Sequence, residues 1–446
     1  MLMVETLLNS LVRYVWGEYI LIPLLALVGI YLSLGLKLLP WRYLGYAIRL
    51  LWRSDKPGTP GEITPLQALM TALSATIGTG NIAGVATAIY FGGPGALFWM
   101  WVIALMGMAT KYSEAVLALK YRQVDRQGQY VGGPMYYIKN GLGGKWRWLA
   151  SAFALFGMIA AFGIGNMVQS NSVSDVLSST YAIPEPVTGL VIASIVGITI
   201  IGGVRRIADV ATCLVPLMAI LYLCAAVSIL LLKGDLVPSA FATIFYSAFN
   251  ESTATQGFLG ATAWMAIRWG CARGIFSNEA GLGSAAIAHA AAKANYPVHQ
   301  GMIAMLGTFI DTIIMCTITG LVLIVSEAWL SGTQGASMSA LAFSTVLGEP
   351  GRHVVSVGLA IFAFSTIIGW SYYGERCAAY LFGTRIIPVY RTVWIAAIVM
   401  GAIFKLDLVW AFADLFNGLM AIPNLVALLL LSPVIFSETR KFLYRH

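Results

Sequence analysis

Ala75-Thr76-Ile77-Gly78-Thr79-Gly80-Asn81-Ile82-Ala83-Gly84 lies in the middle of an apolar segment, from about Leu66 to Tyr90, that is long enough to cross a bilayer. Its three glycines and small polar side chains suit a continuous membrane helix poorly, since glycine costs about 1 kcal/mol against alanine inside a helix. Backbone freed by a break in lipid must be satisfied by protein or by a water-lined cavity. The stretch therefore either packs very closely on its neighbours or breaks to build a binding site.

The rest of the chain has the same character. Of 446 residues, 59% are hydrophobic and 10% charged, where a soluble domain carries roughly 25% charge. This is the composition of an all-α, polytopic membrane protein. Apolar spans fall near 18–36, 66–90, 95–119, 149–180, 186–203, 208–232, 258–292, 300–326, 353–382, 389–404 and 407–435, which makes eleven. Leu7, Leu8, Leu11, Val12, Val15 and Trp16 share one face of a short interfacial helix ahead of them.

Alternate linkers and the C-terminal tail hold 19 of the 27 basic residues, including Arg53, Lys56 and Arg445. The N-terminus and the opposite linkers hold only Arg13, Lys233, Arg352 and Lys405. By the positive-inside rule the N-terminus lies outside and the C-terminus in the cytoplasm. The net charge of +8 then reflects cytoplasmic loops and implies no nucleic acid. The compact loops and the absence of a targeting or cleavable signal suggest a prokaryotic plasma (inner) membrane. Five cysteines in apolar segments form no disulfide or zinc pattern. No G-x-x-x-x-G-K-[ST] occurs, so no nucleotide is expected.

A second polar, glycine-rich interruption, Gly274-Ile275-Phe276-Ser277-Asn278-Glu279-Ala280-Gly281-Leu282-Gly283-Ser284, falls in the seventh span. Five spans separate the two, so they run in opposite directions. Paired broken helices in inverted halves point to the site of a secondary transporter. The chain then divides into 1–65 (interfacial helix, extra span and linker), a first five-helix repeat at 66–232, an inverted second repeat at 233–435, and a tail at 436–446. Small-residue packing is the competing reading for the glycines.

Ala75–Ala83, Gly92–Trp101, Gly107–Glu114, Gly132–Tyr137, Arg273–Ala285, Gly307–Leu321 and Asn417–Asn424 together resemble the alanine/glycine:cation (sodium:alanine) symporter family of the amino acid-polyamine-organocation superfamily. The resemblance implies the LeuT-like inverted five-plus-five fold preceded by one extra helix. It also implies transport of alanine, glycine or, in some branches, glutamine, driven by sodium or sometimes protons. Gly78-Thr79-Gly80-Asn81 is similar to the Gly-x-Gly-Asn break of neurotransmitter-type sodium symporters. Carried over by position, that likeness implies a sodium site from the carbonyls of Ser74 and Ile77 and the hydroxyls of Ser365 and Thr366. Asn81 matches a ligand of a second sodium in that wider fold.

The residues supply a matching substrate site. Thr79 and Gly80 offer backbone N–H groups to a carboxylate at a half-helix N-terminus. Gly274, Ile275 and Ser277 face them from the second break. Phe162, Asn166 and Gln169 recur at i, i+4 and i+7 on one face of the fourth span, with Asn171 beyond. Neutral amides bind either end of an amino acid without the desolvation cost of a charge. Thr366 and Trp370 are one turn apart, and Trp370 walls the pocket with Ile275 and Phe162. The competing readings are a ligand-free kink, interhelical hydrogen bonds and core packing. Lys111 and Glu114 sit three apart and are expected to pair, Glu375 and Arg376 to find partners on other helices, Arg268 to belong to an outer gate, and Arg273, Glu279 and Asp311 to complete the charges at membrane depth.

The expected function is alternating-access symport of a small neutral amino acid with sodium. A channel would need a continuous polar pore and a ring of units. An enzyme would need a nucleophile and base, and no His lies near Ser277 in a recognisable motif.

Overall fold

The computed structural model describes residues 2–17, 20–52, 59–251 and 260–444. Arg53, Lys56 and Arg445, counted toward the expected orientation, lie outside them, as do residues 18–19 and 258–259 of the first and seventh expected spans. The described chain is mostly helical, with two-residue strands, β1 (Gln123–Val124) and β2 (Tyr130–Val131), which pair antiparallel, and a single bridge between Ile63 and Ala292.

The helices that position the site are, in chain order, α1 (Leu2–Val15), α2 (Leu21–Gly35), α3 (Pro65–Thr76), α4 (Gly80–Gly92), α5 (Gly95–Lys120), α6 (Gly144–Tyr181), α7 (Glu185–Ile200), α8 (Gly203–Leu232), α9 (Val237–Phe249), α10 (Ala263–Asn278), α11 (Ser284–Ala290), α12 (Pro297–Val325), α13 (Gly335–Leu347), α14 (Glu349–Phe382), α15 (Thr384–Ile403), α16 (Leu406–Leu430) and α17 (Ser432–Leu443). Seven of these, α5, α6, α8, α12, α14, α15 and α16, are long and apolar enough to cross a membrane. The pair α3 and α4 makes an eighth, bent by 51°. The protein is a multi-pass membrane protein. The other three expected spans fall on shorter pieces: α2, α7, and the pair α10 and α11. The eleventh span stops at Leu430, five residues early, and α17 begins at Ser432 with Pro433 in its first turn.

The first break has local causes. Thr64 and Gln67 form a reciprocal capping box at the start of α3, with Pro65 at the first helical position. Ile77 then turns extended, and the helix resumes at Gly80 through a π-helical turn, Gly80–Gly84. In the second, α10 ends at Asn278, and Glu279, Gly281 and Gly283 all take positive φ before α11 begins. Glycine adopts that backbone without the steric penalty other residues carry; Glu279 bears it.

α10 packs on α4 and α5, bringing the breaks face to face. A Cβ built on Gly80 would stand 3.0 Å from the Ser277 Cα, so the absence of a side chain is what permits the approach. α14 lies across α3, α8 and α6. α9 and α13, in segments read as outer linkers, are helices the apolar-span reading missed: each is 13 residues, too short to register as a span.

Candidate functional site

The oxygen-rich contact implied for sodium lies at the first break. The Thr366 hydroxyl is 3.0 Å from the Ser74 carbonyl and 3.4 Å from that of Ile77. The Ser365 hydroxyl donates to the Phe362 carbonyl at 2.8 Å and lies 3.4 Å from that of Ser74. All four residues are buried. Carbonyl and hydroxyl oxygens are the hard donors a sodium ion takes, so the set fits that ion. A Cβ on Gly78 would come within 2.4 Å of Thr366 Oγ1, which keeps this contact glycine-lined.

The substrate-side residues divide. Thr79, Gly80, Gly274, Ile275 and Ser277 are buried at the facing breaks. The Thr79 N–H donates to Gln169 Oε1 at 3.2 Å, and the Thr79 hydroxyl has no hydrogen-bond partner. Gln169 Nε2 donates to the Ile164 carbonyl at 2.8 Å. Trp370 reaches the second break, its indole N–H donating to Glu279 Oε1 at 2.7 Å. Its Cβ fills the place where Gly165 lacks a side chain.

Phe162 is not with them. Its ring packs 5.3 Å from both Tyr390 and Trp394 of α15. Asn166 likewise donates to the Trp394 carbonyl at 2.9 Å, and Asn171 to carbonyls of Gly401 and Phe404. The cause is a π-helical turn, Gly163–Met167, which adds a residue and rotates the rest of α6 by about 100°. Gln169 therefore leaves the face that Phe162 occupies. Asn81 lies at the break: its Oδ1 accepts from the Gly78 N–H at 3.0 Å and its Nδ2 donates to Asp311 Oδ1 at 2.8 Å.

Lys111 and Glu114 do not pair; both serve the second break. Lys111 Nζ donates to the Asn278 carbonyl at 2.8 Å, at the negative end of α10. Glu114 Oε1 accepts from the N–H groups of Gly281 and Gly283 and from Asn424, itself bonded by the Tyr137 hydroxyl. Glu375 pairs with Arg391 at 2.6 Å, and Arg376 reaches Gln129 and Asp125.

On one side of the breaks, Arg273 and Asp414 form a two-pronged ion pair (2.7 and 3.0 Å) with the guanidinium 4.5 Å above the Trp410 ring. They line a cavity of about 440 Å³ with Arg13, Arg268, Trp269 and Asp407. On the other side the chain is sewn shut. Glu62 and Ile63 N–H groups meet the Ala291 carbonyl, the Lys293 N–H donates to Ile63, and Arg122 reaches carbonyls on both strands of this seam. Burial lowers the Arg122 pKa from its ordinary value.

The model of the sodium:alanine symporter family matches residues 1–446. The chain belongs to that family. It is 50% identical over 444 residues to the sodium/alanine symporter AgcS of Methanococcus maripaludis, covering 98% of this chain and 97% of that one. It is 38% identical over 430 residues to a probable sodium/glutamine symporter, GlnT, of Bacillus subtilis (96% and 88%). Among solved structures it resembles MhsT in complex with L-phenylalanine (TM-score 0.57, 13% identity, 86% of this chain and 99% of that one). It also resembles the nucleobase-cation-symport-1 transporter MHP1 (TM-score 0.51, 11% identity, 87% and 96%). Those two likenesses show the fold, that of a LeuT-type transporter. As a member of this family the chain is an amino-acid symporter, a transport protein and not an enzyme.

Proposed function

We propose that this symporter moves small neutral amino acids, alanine and glycine first, together with sodium by alternating access. The observation that carries this is the facing pair of breaks, with Gly80 against Ser277 and an unpartnered, buried Thr79 hydroxyl between elements of both halves. The halves are 66–232 and an inverted 233–435. The amino acid's carboxylate takes the amides of Thr79 and Gly80, displacing Gln169 Oε1 from the former. Ser277, Gly274 and Ile275 close the opposite wall, with Trp370 limiting size. Sodium travels as co-substrate between the carbonyls of Ser74 and Ile77 and the hydroxyls of Ser365 and Thr366, tying α3 to α14. That tie holds the two elements together at the breaks, with the Arg273–Asp414 cavity on one side and the Arg122 seam on the other.

The N-terminus lies outside and the C-terminus in the cytoplasm of the inner membrane, so the cavity faces outward. One sodium crossing 100 mV supplies about 2.3 kcal/mol, or roughly 50-fold accumulation. Relatives named for alanine and for glutamine are both similar to this chain, and the close approach of Ser277 to Gly80 favours the smaller substrate. Alanine uptake into proteoliposomes under an imposed sodium gradient, set against a proton gradient, tests the reading. Accumulation with sodium is expected; none with either gradient refutes symport.

A further inference from the structure

At the end of the molecule that carries the Arg122 seam, several basic side chains are already engaged: Lys120 pairs with Glu438, Arg376 with Asp125 and Arg391 with Glu375. Lys139 and Arg147 are not. Neither has a carboxylate within 4.0 Å among the described residues. Both instead line one open cavity of about 490 Å³, between β1 at Gln123, the turn that follows the short helix Pro134–Tyr137, the start of α6 and the end of α14. Among the described residues no Asp or Glu lines it. Lys139 Nζ stands 6.0 Å from the centre of the Tyr380 ring, and Tyr136 packs edge-on against the same ring at 5.4 Å.

Two cations that share a cavity without a counter-charge repel each other, and an anion between them removes that cost. A cleft lined by one sign of charge also focuses the field that draws in its counter-ion. The cavity has the size of a small-molecule site, about 300–1,000 Å³. Its surroundings say what kind of anion fits. Trp148 is 65% exposed, and its ring lies nearly parallel to that of Trp146, with centroids 6.4 Å apart. Exposed tryptophans at the end of a membrane helix mark the level of the lipid headgroups. Trp148, Ser151 and Leu155 are all exposed, at i, i+3 and i+7 on one face of α6. A strip of outward-facing surface therefore leads from Ser151, at the cavity wall, toward the bilayer interior.

We propose that this cavity binds the headgroup of an anionic phospholipid, with Lys139 and Arg147 on the phosphate oxygens, the Ser151 hydroxyl beside the glycerol, and an acyl chain along the strip from Trp148 to Leu155. The guanidinium offers a planar fork that matches two phosphate oxygens, and the ammonium a mobile point charge beside it. A free phosphate ion shares the charge chemistry but leaves the strip unused. The site stands apart from the substrate and sodium residues, and it holds whichever amino acid or cation is carried. It joins α6 to the end of α14 and to β1, whose hairpin Arg122 meets through the Tyr130 ring. A bound headgroup therefore holds that hairpin against α14 at the sealed end.

The test is native mass spectrometry of the full chain in a neutral detergent, titrated with dioctanoyl phosphatidylglycerol, with dioctanoyl phosphatidylcholine, and with the former in excess inorganic phosphate. A basic side chain beside an anionic lipid is worth about fivefold in affinity. The tightest phosphatidylglycerol should therefore bind about tenfold or more tighter than phosphatidylcholine, and inorganic phosphate should not displace it. Lys139→Gln with Arg147→Gln should weaken that binding event about 30-fold. Arg126→Gln, at the exposed turn of the hairpin, should leave it unchanged. Equal affinity for the two lipids, an unchanged affinity in the double variant, or a comparable loss in Arg126→Gln overturns the proposal. Displacement by inorganic phosphate makes this a free-anion site and overturns the lipid. Should the double variant not fold, Ser151→Trp fills the cavity from its lipid-facing wall: loss of the same binding event supports the site, and unchanged phosphatidylglycerol affinity in a monodisperse variant overturns it.

Discussion

Replacing Arg122 by Met should open the sealed side of the transporter. The guanidinium ties two strands that must separate if α3 and α11 are to part: Nη1 donates to the carbonyls of Ala290 (3.1 Å) and Ala292 (2.7 Å), and Nη2 to that of Pro60 (3.0 Å). Its plane also covers the Tyr130 ring at 4.7 Å, which anchors the β1–β2 hairpin over the seam. Hydrogen bonds to a charged group contribute about 1.5–3 kcal/mol each when buried. Here the side chain is only part-buried and water replaces part of each bond on opening, so about 1 kcal/mol apiece is the defensible figure. Three such bonds give about 3 kcal/mol, or a shift of roughly 100-fold toward the open seam. The backbone bonds at Glu62, Ile63 and Lys293 remain and keep the variant folded. The assay is alkylation of Ala292→Cys, buried in the seam, by a membrane-impermeant maleimide in vesicles that expose the cytoplasmic face. Arg122→Met should speed labelling by roughly 100-fold and weaken accumulation while counterflow survives. An unchanged labelling rate would refute the claim that Arg122 holds the seam.

Ser365→Ala with Thr366→Val removes two hydroxyl ligands while leaving the Ser74 and Ile77 carbonyls; sodium dependence of uptake should be lost, and its survival would remove the ion from this site. Gly80→Ala places a Cβ 3.0 Å from the Ser277 Cα, and overpacking of that kind costs about 1–3 kcal/mol; half-saturating alanine should rise by roughly tenfold or more, measured by uptake. Glu438, in α17, is held below its usual pKa first by its hydrogen bond from Lys120. Its contribution is present above the unfolded value of about 4.3 and lost as pH falls through the folded one. The protection of α17 amides relative to their intrinsic exchange rates should therefore fall below about pH 4, and salt should weaken the effect.

Both breaks were legible because each combines glycine with polar residues inside a span; counting spans gave the expectation that the two run in opposite directions. The relation of Ser365 and Thr366 to Ser74 and Ile77 was reachable only through family resemblance, since 291 residues separate Ser365 from Ser74. Two departures share one cause: side-chain direction was read on ideal helices. The π-turn at Gly163–Met167 rotates Phe162 away from Gln169, and i, i+3 spacing suggested a Lys111–Glu114 pair that bare backbone at the second break outcompetes. Asp311 was visible as a charge at membrane depth. Its contacts were not, because Asn81 and Ser277 approach it from distant parts of the chain.

Gln169 offers a test of which end of the amino acid meets the first break. In the structure its Oε1, not its Nε2, faces the Thr79 N–H, at 3.2 Å, and a Cβ on Gly78 would meet the same oxygen at 3.1 Å. Nε2 is held by the Ile164 carbonyl, which the π-turn leaves within reach. An oxygen thus occupies the place a substrate carboxylate oxygen needs, and the two compete for one backbone hydrogen. Gln169→Glu makes that competitor anionic. If the carboxylate of the amino acid docks on Thr79, like charge is set beside like charge in a water-poor site, and the half-saturating alanine concentration should rise by about 100-fold or more, since such juxtaposition costs several kcal/mol. If the ammonium docks there instead, the same substitution strengthens binding. Alanine uptake by the Glu variant, compared with Gln169→Leu to separate charge from the lost hydrogen bond, reads the sign directly. Binding tighter than wild type would turn the amino acid around in the site and remove Thr79 from the carboxylate.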